Sequence, residues 1–421
     1  MSVAATFILL LFLAAPIALV LALTAVAHIL ASGNIVLFES YPQQLFSGLE
    51  KYGLLAIPLF MLVGELMNEG GVTRRLIHAA RVFVGAYRGG LAYVNLLANM
   101  MMASIVGSAA AQIAVMSRVM TPEMTRAGYS PAFAAATTAA GGLLSPIIPP
   151  SMLFVIYGVL AQIPIGDMFL AGILPGLLLA FGFMCAIAFV GWRTGFPAGE
   201  AVKGLEARKA LLRALPSAAV PAIIIGGILG GIATPTESAA LAALAALCLG
   251  LFVYRDLKAS ALPRIFAETA VTSSIVLFLI AAANVFGWII LHEQIPQNVA
   301  AWLSGLTDNP FLFLLVVNLA LLGVGAVIDG IAAMIIVVPI LLPIAQTQYA
   351  IDPFHFGVVV SINLVLGLLT PPVGAGLYIA AAASNVKPGD IFKALTPFLI
   401  ATLLALVLLS WRPELSTALI D

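Results

Sequence analysis

The chain reads as long apolar blocks set apart by short polar turns. Blocks of roughly 17 residues or more, the length of a helical membrane crossing, occupy 3–31, 52–68, 130–161, 168–192, 215–232, 236–254, 266–291, 354–383 and 391–410. Two further blocks, 91–117 and 311–343, lie between polar flanks. An outer-membrane barrel would instead show segments of about 10 residues with alternating polarity. One stretch departs from the pattern. Residues 69–90 carry Arg74, Arg75, Arg81 and Arg88 among Leu76, Ile77, Val82, Phe83 and Val84, the spacing of an amphipathic helix lying in the membrane interface.

Composition narrows the class. Of 421 residues, 62% are hydrophobic and 9% charged, against ~25% charged in a soluble domain. So little polar surface cannot cover a soluble globule, so the expected class is an all-α polytopic membrane protein. Cys185 and Cys248 fall inside apolar blocks and read as small buried hydrophobes, not as a disulfide or a metal pair. The block 3–31 has no basic flank and is about twice the length of a leader's apolar core, so it reads as a retained membrane helix. It fits one helix or two short broken pieces. His28, His78, His292 and His355 have no metal-ligand spacing, and HExxH, GxSxG, Walker and GxGxxG motifs are absent. An enzyme, a transition-metal site, an organic cofactor and a nucleic-acid partner therefore find no support.

The 18 basic and 18 acidic residues cancel in number but not in place. Val94-Asn95-Leu96 recurs as Val317-Asn318-Leu319, an offset of 223. At the same offset Gly64 falls on Gly287, Gly107 on Gly330, Pro149 on Pro372, and Gly166-Asp167-Met168-Phe169 on Gly389-Asp390-Ile391-Phe392. An internal repeat follows. Segment 69–90 holds four Arg, whereas 292–313 holds no Lys or Arg but has Glu293 and Asp308. Arg118 and Arg126 lie in 118–128, whereas 341–351 has no basic residue. Cytoplasmic loops retain Lys and Arg, so equivalent segments sit on opposite faces, the signature of an inverted-topology transporter. The polar run 193–213 (Arg193, Glu200, Lys203, Glu206, Arg208, Lys209, Arg213) is the natural cytoplasmic linker between repeats at 1–192 and 214–421. On this topology every basic residue except Lys51 and Arg412 is cytoplasmic.

Segments 69–90 and 118–128 are both basic, so 91–117 must return to the face it left. Its length is too short for two crossings of about 20 residues each. The expectation is a re-entrant hairpin over 91–127 turning near Ser104–Ser108, with a counterpart over 311–346 turning near Gly325–Gly330. Ser145-Pro146-Ile147-Ile148-Pro149-Pro150-Ser151 cannot continue a helix, so 130–161 should be two half-helices. Thr370-Pro371-Pro372-Val373-Gly374 should break 354–383 likewise. Non-helical backbone at membrane depth survives only against protein or a watery cavity. Freed carbonyls and hydroxyls there form an oxygen cage suited to a hard cation such as Na+.

The small residues around Ser104, Gly107 and Ser108 let a hairpin tip approach the broken helix, and the second tip, Gly325 to Gly330, brings Asp329, an intramembrane acid and hence a candidate for cation or proton binding. Glu65 reads as reaching the interface. Glu237 sits just inside a helix start, where Thr236 could cap and the acid would favour the dipole. Asn95, Asn318 and Asn363 are interhelical ties or ligands, Asn95 being assigned as a tie.

Gly107-Ser-Ala-Ala-Ala, the 145–151 break, Gly231-Ile-Ala-Thr-Pro-Thr-Glu-Ser-Ala-Ala240 and Thr370-Pro-Pro-Val-Gly374 together resemble the large membrane subunit of tripartite ATP-independent periplasmic (TRAP) transporters over essentially the whole length. The resemblance implies a secondary transporter of the bacterial inner membrane that imports carboxylates such as dicarboxylates or sialic acids on a Na+ gradient. It implies a separate small membrane subunit, a periplasmic substrate-binding protein, and an elevator motion of hairpins and broken helices against a scaffold. It places Na+ at Ser104, Gly107 and Ser108 with Ser145, Pro146, Pro149 and Ser151, and at Gly325, Asp329 and Gly330 with Thr370, Pro371 and Gly374. Ser108, Ser151, Asn363 and Thr370 are the candidates to touch substrate. The alternative is a stand-alone carboxylate symporter coupled to Na+ or H+.

Overall fold

The computed structural model describes residues 2–13, 15–199 and 204–420. Among them every regular element is helical, and seven helices are long and apolar enough to cross a membrane. Proline and a capping side chain set several of the starts. Pro131, Pro310 and Pro353 occupy the first turn, where a missing N–H costs nothing. Just before them Ser130 accepts a hydrogen bond from the Phe133 amide (3.2 Å), Asn309 from Phe311 (2.9 Å) and Asp352 from Phe354 (2.8 Å). Each such cap contributes about 1 kcal/mol.

The block 91–127 forms two helices, Gly90–Val106 and Ala109–Arg126, joined at Gly107 and Ser108. The counterpart is Pro310–Gly325 and Gly330–Thr347. Each is followed by a helix in two pieces, Pro131–Gly142 with Met152–Ala161, then Pro353–Gly367 with Ala375–Ser384. Both breaks contain a cis prolyl bond, Pro149–Pro150 and Pro371–Pro372. Element ends recur at the offset of 223. Met152–Ala161 corresponds to Ala375–Ser384, with left-handed residues Gln162 and Asn385 closing the two helices, and Gly71 and Gln294 are both left-handed before Val72–Val84 and Ile295–Ser304.

Within the bundle, polar ties hold hairpin to broken helix. The Asn95 amide donates to Thr138 Oγ1 (2.7 Å), Asn99 donates to Asn95 Oδ1 (2.9 Å), and Gln112 Nε2 donates to Asn99 Oδ1 (2.9 Å). All four residues are buried, and each bond of this kind in a membrane interior contributes on the order of 1 kcal/mol. Asn95 is thus the tie the sequence suggests. In the second half Asn363 donates to Asn318 Oδ1 (2.9 Å), and Asn318 donates to Ser410 Oγ (2.9 Å).

The block 3–31 takes the broken form of its two expected ones, Ser2–Phe12 and Ile17–Ser32, with Pro16 just before Ile17. In the run 193–213, Ile165–Thr194 ends near its start and Gly204–Ala214 opens a stretch that reaches Leu229, while 200–203 lie outside the described residues. Two expectations are corrected. The cap before Glu237 is Thr234, not Thr236. Thr234 and Glu237 exchange bonds as a complete capping box (Thr234 N to Glu237 Oε2, 2.8 Å), and Glu237 is exposed. Cys185 and Cys248 are exposed rather than buried, because an apolar residue on a spanning helix can face lipid as readily as protein. The helix Leu37–Ser47 lies in a stretch too polar to count as an apolar block.

Candidate functional site

The first tip turns on Gly107, whose φ of +63° favours glycine. A Cβ there would meet the Met152 amide nitrogen at 3.4 Å and the Pro150 carbonyl at 3.6 Å, so the tip rests on the first break. The second tip rests on the second break. Ala326 O accepts from the amides of Val373 and Gly374, both at 3.2 Å. Behind it Gly325 packs backbone to backbone on Gly367, where a Cβ would fall 2.4 Å from the Gly325 carbonyl carbon.

Between these parts lies a cavity of about 290 Å³. One wall is the first tip (Gly107 to Ala111) with Pro146, Met152 and Leu153. A second is Asp329 to Ile331 with Leu364, Val365 and Leu368. The third comes from two long helices, through Met61, Gly64, Glu65 and Asn68 on the span Tyr52–Glu69, and Glu268, Thr269, Thr272 and Val276 on the span Ala259–His292. Three helices present their first turns to this space, starting at Ala109, Met152 and Gly330. First-turn amides have no intrahelical acceptor. Ser151 caps the second helix (from Phe154 N, 3.1 Å) and Asp329 the third (from Ile331 N, 3.1 Å), whereas Ser108 makes no side-chain cap bond. The first-turn amides at Ala109 to Ala111 thus have no side-chain cap among the described residues and lie at the positive end of a helix dipole.

Of the expected site residues, Gly107, Ser108, Pro146, Asp329 and Gly330 line the cavity. Ser145 lies behind it, fully buried, and its hydroxyl has no hydrogen-bond partner among the described residues. Pro149 belongs to the break, and Gly325, Pro371 and Gly374 to the second tip-and-break contact. Other hydroxyls are already engaged. Ser104 donates to Met101 O (2.8 Å), Ser151 to Pro146 O (2.5 Å) and Thr370 to Leu366 O (3.0 Å). Asn363 is fully buried against Asn318. Ser151, Thr370 and Asn363 stand outside the cavity lining; Ser151 caps, Thr370 bonds within its helix, and Asn363 ties through its amide nitrogen while its Oδ1 is buried without a partner among the described residues.

The third wall is not among the site residues expected from the sequence. Glu65 does not simply reach an interface but faces the cavity, and Glu268 and Thr269 join it there. Thr269 Oγ1 is buried without a partner among the described residues. The signal available was a polar stripe at helical spacing (Gly64, Glu65, Asn68, then Glu268, Thr269, Thr272). Behind the wall Arg264 pairs with Glu69 (3.0 Å) and Glu268 (3.2 Å).

A family model described as the DctM component of the tripartite ATP-independent periplasmic transporters matches residues 4–415. The sialic acid TRAP transporter large permease SiaM of Vibrio cholerae is 36% identical over 97% of this chain and 96% of its own. The C4-dicarboxylate large permease DctM of Pseudomonas aeruginosa is 39% identical over 89% and 88%. The isethionate permease DctMQ of Oleidesulfovibrio alaskensis is 38% identical over 96% of this chain and 63% of its own. Among solved structures, the YdaH transporter of Alcanivorax borkumensis shares the fold, with a TM-score of 0.63 at 16% identity, covering 90% of this chain and 88% of that one.

Proposed function

This chain belongs to the DctM component family of the tripartite ATP-independent periplasmic transporters, and on that premise we propose that it is the large membrane subunit importing an organic acid anion across the bacterial inner membrane on a Na+ gradient. The observation that carries the reading is the cavity where a hairpin tip, a helix break and the first-turn amides of Ala109 to Ala111, without a side-chain cap among the described residues, meet. A carboxylate placed there gains amide hydrogen bonds and a favourable dipole. The names of the relatives, sialic acid and C4-dicarboxylate permeases among them, support an organic acid as the cargo.

Na+ is cotransported cargo in this scheme. The Ser145 hydroxyl, without a partner among the described residues, and the backbone oxygens of the 145–151 break would hold one ion. Asp329 with the backbone of Gly325–Gly330 and Thr370–Gly374 would hold another. Glu65, Glu268 and Asp329 all face the cavity, and cations bound beside them would offset their charge and let an anion enter.

The recurrence of element ends at the offset of 223 supports two inverted repeats, with hairpins and broken helices as the moving part. Val72–Val84 would act as the arm between parts. Arg75 on it pairs with Asp256 at 2.7 Å and lies 3.9 Å over the Tyr254 ring, while Arg81 pairs with Glu123 on the first hairpin. The partners would be a small membrane subunit and a periplasmic substrate-binding protein. The match covers 63% of DctMQ, which leaves room there for a fused small subunit.

Reconstitution in proteoliposomes tests the reading. Uptake should require an inward Na+ gradient, the small subunit and a loaded binding protein together. Uptake by this chain alone would establish a stand-alone symporter instead, and uptake indifferent to Na+ would remove the ion sites.

A further inference from the structure

A second hollow lies away from the cavity. It runs between Ile165–Thr194 and Pro388–Trp411, holds about 670 Å³ and is walled mainly by apolar side chains. The two helices meet closely where a Cβ on Gly182 would stand 3.4 Å from the Ala401 Cβ. Phe181, Phe189, Ile400 and Leu404 stand exposed along it. Both helices are apolar enough to cross a membrane, so the groove opens to lipid.

One end of the groove is cationic. Arg193 and Lys393 both line it and no Asp or Glu does, among the described residues. Neither basic side chain makes an ion pair among those residues, and the Arg193 guanidinium lies 5.2 Å from the Phe189 ring centroid. Asp390, one turn before Lys393, is outside the lining. The two cations come from equivalent helices of the two halves, so antiparallel packing brings the end of one beside the start of the other. Cytoplasmic loops retain Lys and Arg, and Arg193 and Lys393 lie among the basic residues assigned to that face by the charge distribution, so this end of the groove is the cytoplasmic one.

An acyl chain gains little by leaving the bilayer for an apolar groove, because lipid tails are as apolar as leucine. Headgroup charge therefore decides which lipid stays. Basic pockets between membrane helices on the cytoplasmic side suit anionic headgroups, and a zwitterionic headgroup would bring its own ammonium against two cations. We propose that this groove is a binding site for an anionic glycerophospholipid, its phosphate held by Arg193 and Lys393 and one acyl chain lying along Phe181, Cys185 and Leu404.

Two measurements on the full chain test this. In native mass spectrometry of the detergent-purified protein, phosphatidylglycerol should bind roughly thirtyfold more tightly to the wild type than to Arg193→Gln/Lys393→Gln, taking each cation's contribution near the surface. The charge-conserving pair Arg193→Lys/Lys393→Arg should retain it, which separates headgroup binding from misfolding. Equal retention by wild type and double glutamine variant, or equal affinity for phosphatidylglycerol and phosphatidylethanolamine of matched chains, would reduce the groove to ordinary annular contact and overturn the proposal. In inner-membrane vesicles, phosphatidylglycerol with a diazirine in its chain should cross-link to 178–193 and 393–408. Labelling confined to other helices, or a partner's helix cross-linked there in place of lipid, would overturn it as well.

Discussion

Ser145 and Asp329 show how one side chain's surroundings separate a structural part from a chemical one. The Ser145 hydroxyl is buried and unpartnered among the described residues, a condition that costs about 1–3 kcal/mol unless something fills it. Ser145→Ala should therefore leave thermal stability unchanged or slightly raised, while the Na+ concentration for half-maximal uptake rises several-fold. An unaltered Na+ dependence in the uptake assay would take Ser145 out of the ion site. Asp329 both caps Gly330–Thr347 and faces the cavity. Asparagine caps a helix about as well as aspartate, so Asp329→Asn keeps the cap and removes only the charge. We expect normal expression and melting temperature with uptake reduced roughly tenfold or more, as for other intramembrane acids with a transport role. Wild-type uptake would confine Asp329 to capping.

Helices in this chain begin and end by local rules that hold even deep in the membrane. Glu237 sits inside an apolar stretch, but its carboxylate accepts from the Thr234 amide and hydroxyl, each at 2.8 Å, and it is exposed away from the cavity lining. Its role is the start of Pro235–Cys248. Glu237→Ala should lower the melting temperature slightly, since it removes one side of the capping box while Thr234 still caps, and leave the Na+ dependence of uptake unchanged. A shifted Na+ dependence with intact stability would contradict that assignment. The crossing of Pro310–Gly325 over Pro353–Gly367 depends on hydrogen side chains at Gly325 and Gly367. Gly367→Ala would place its Cβ 2.4 Å from the Gly325 backbone, so the helices must part. Overpacking of this kind costs about 1–3 kcal/mol, and membrane yield of the variant should fall accordingly.

Across the whole molecule, the cavity divides hairpins and broken helices from the two spans carrying Glu65 and Glu268. Met61 on one side and Ala110 on the other line the same space. With Cys185 and Cys248 replaced, Met61→Cys and Ala110→Cys joined by a short thiol cross-linker should hold the two walls together. If transport requires one part to slide past the other, uptake should drop to about a tenth or less and recover when a reducible linker is cleaved. Full uptake by the cross-linked protein would exclude relative motion at that seam.

Apolar block length and proline spacing point to turns near Ser104–Ser108 and Gly325–Gly330 and to breaks at 145–151 and 370–374, and helices end and restart at those places, because membrane helices satisfy their backbone internally and proline interrupts that locally. The Arg-rich segment 69–90 was readable from its helical spacing of apolar residues, appearing as Val72–Val84 with Leu76 and Ile77 buried. Side-chain assignments were less legible. Ser151 and Thr370 carry the right atoms for ligands, but in this conformation their hydroxyls bond backbone carbonyls, and which partner is nearest depends on packing. The third wall could not be read from one helix alone, since Glu65 and Glu268 are about 200 residues apart and meet only when the two spans border one cavity. The cysteines were misplaced because apolarity in a membrane chain does not separate a core from a lipid face. Sequence periodicity settles which segments are helical and where they break, through rules acting within a few residues. Which broken ends converge, which polar atoms stay free and which apolar faces are left to lipid depend on contacts between distant segments, and those came from the folded molecule.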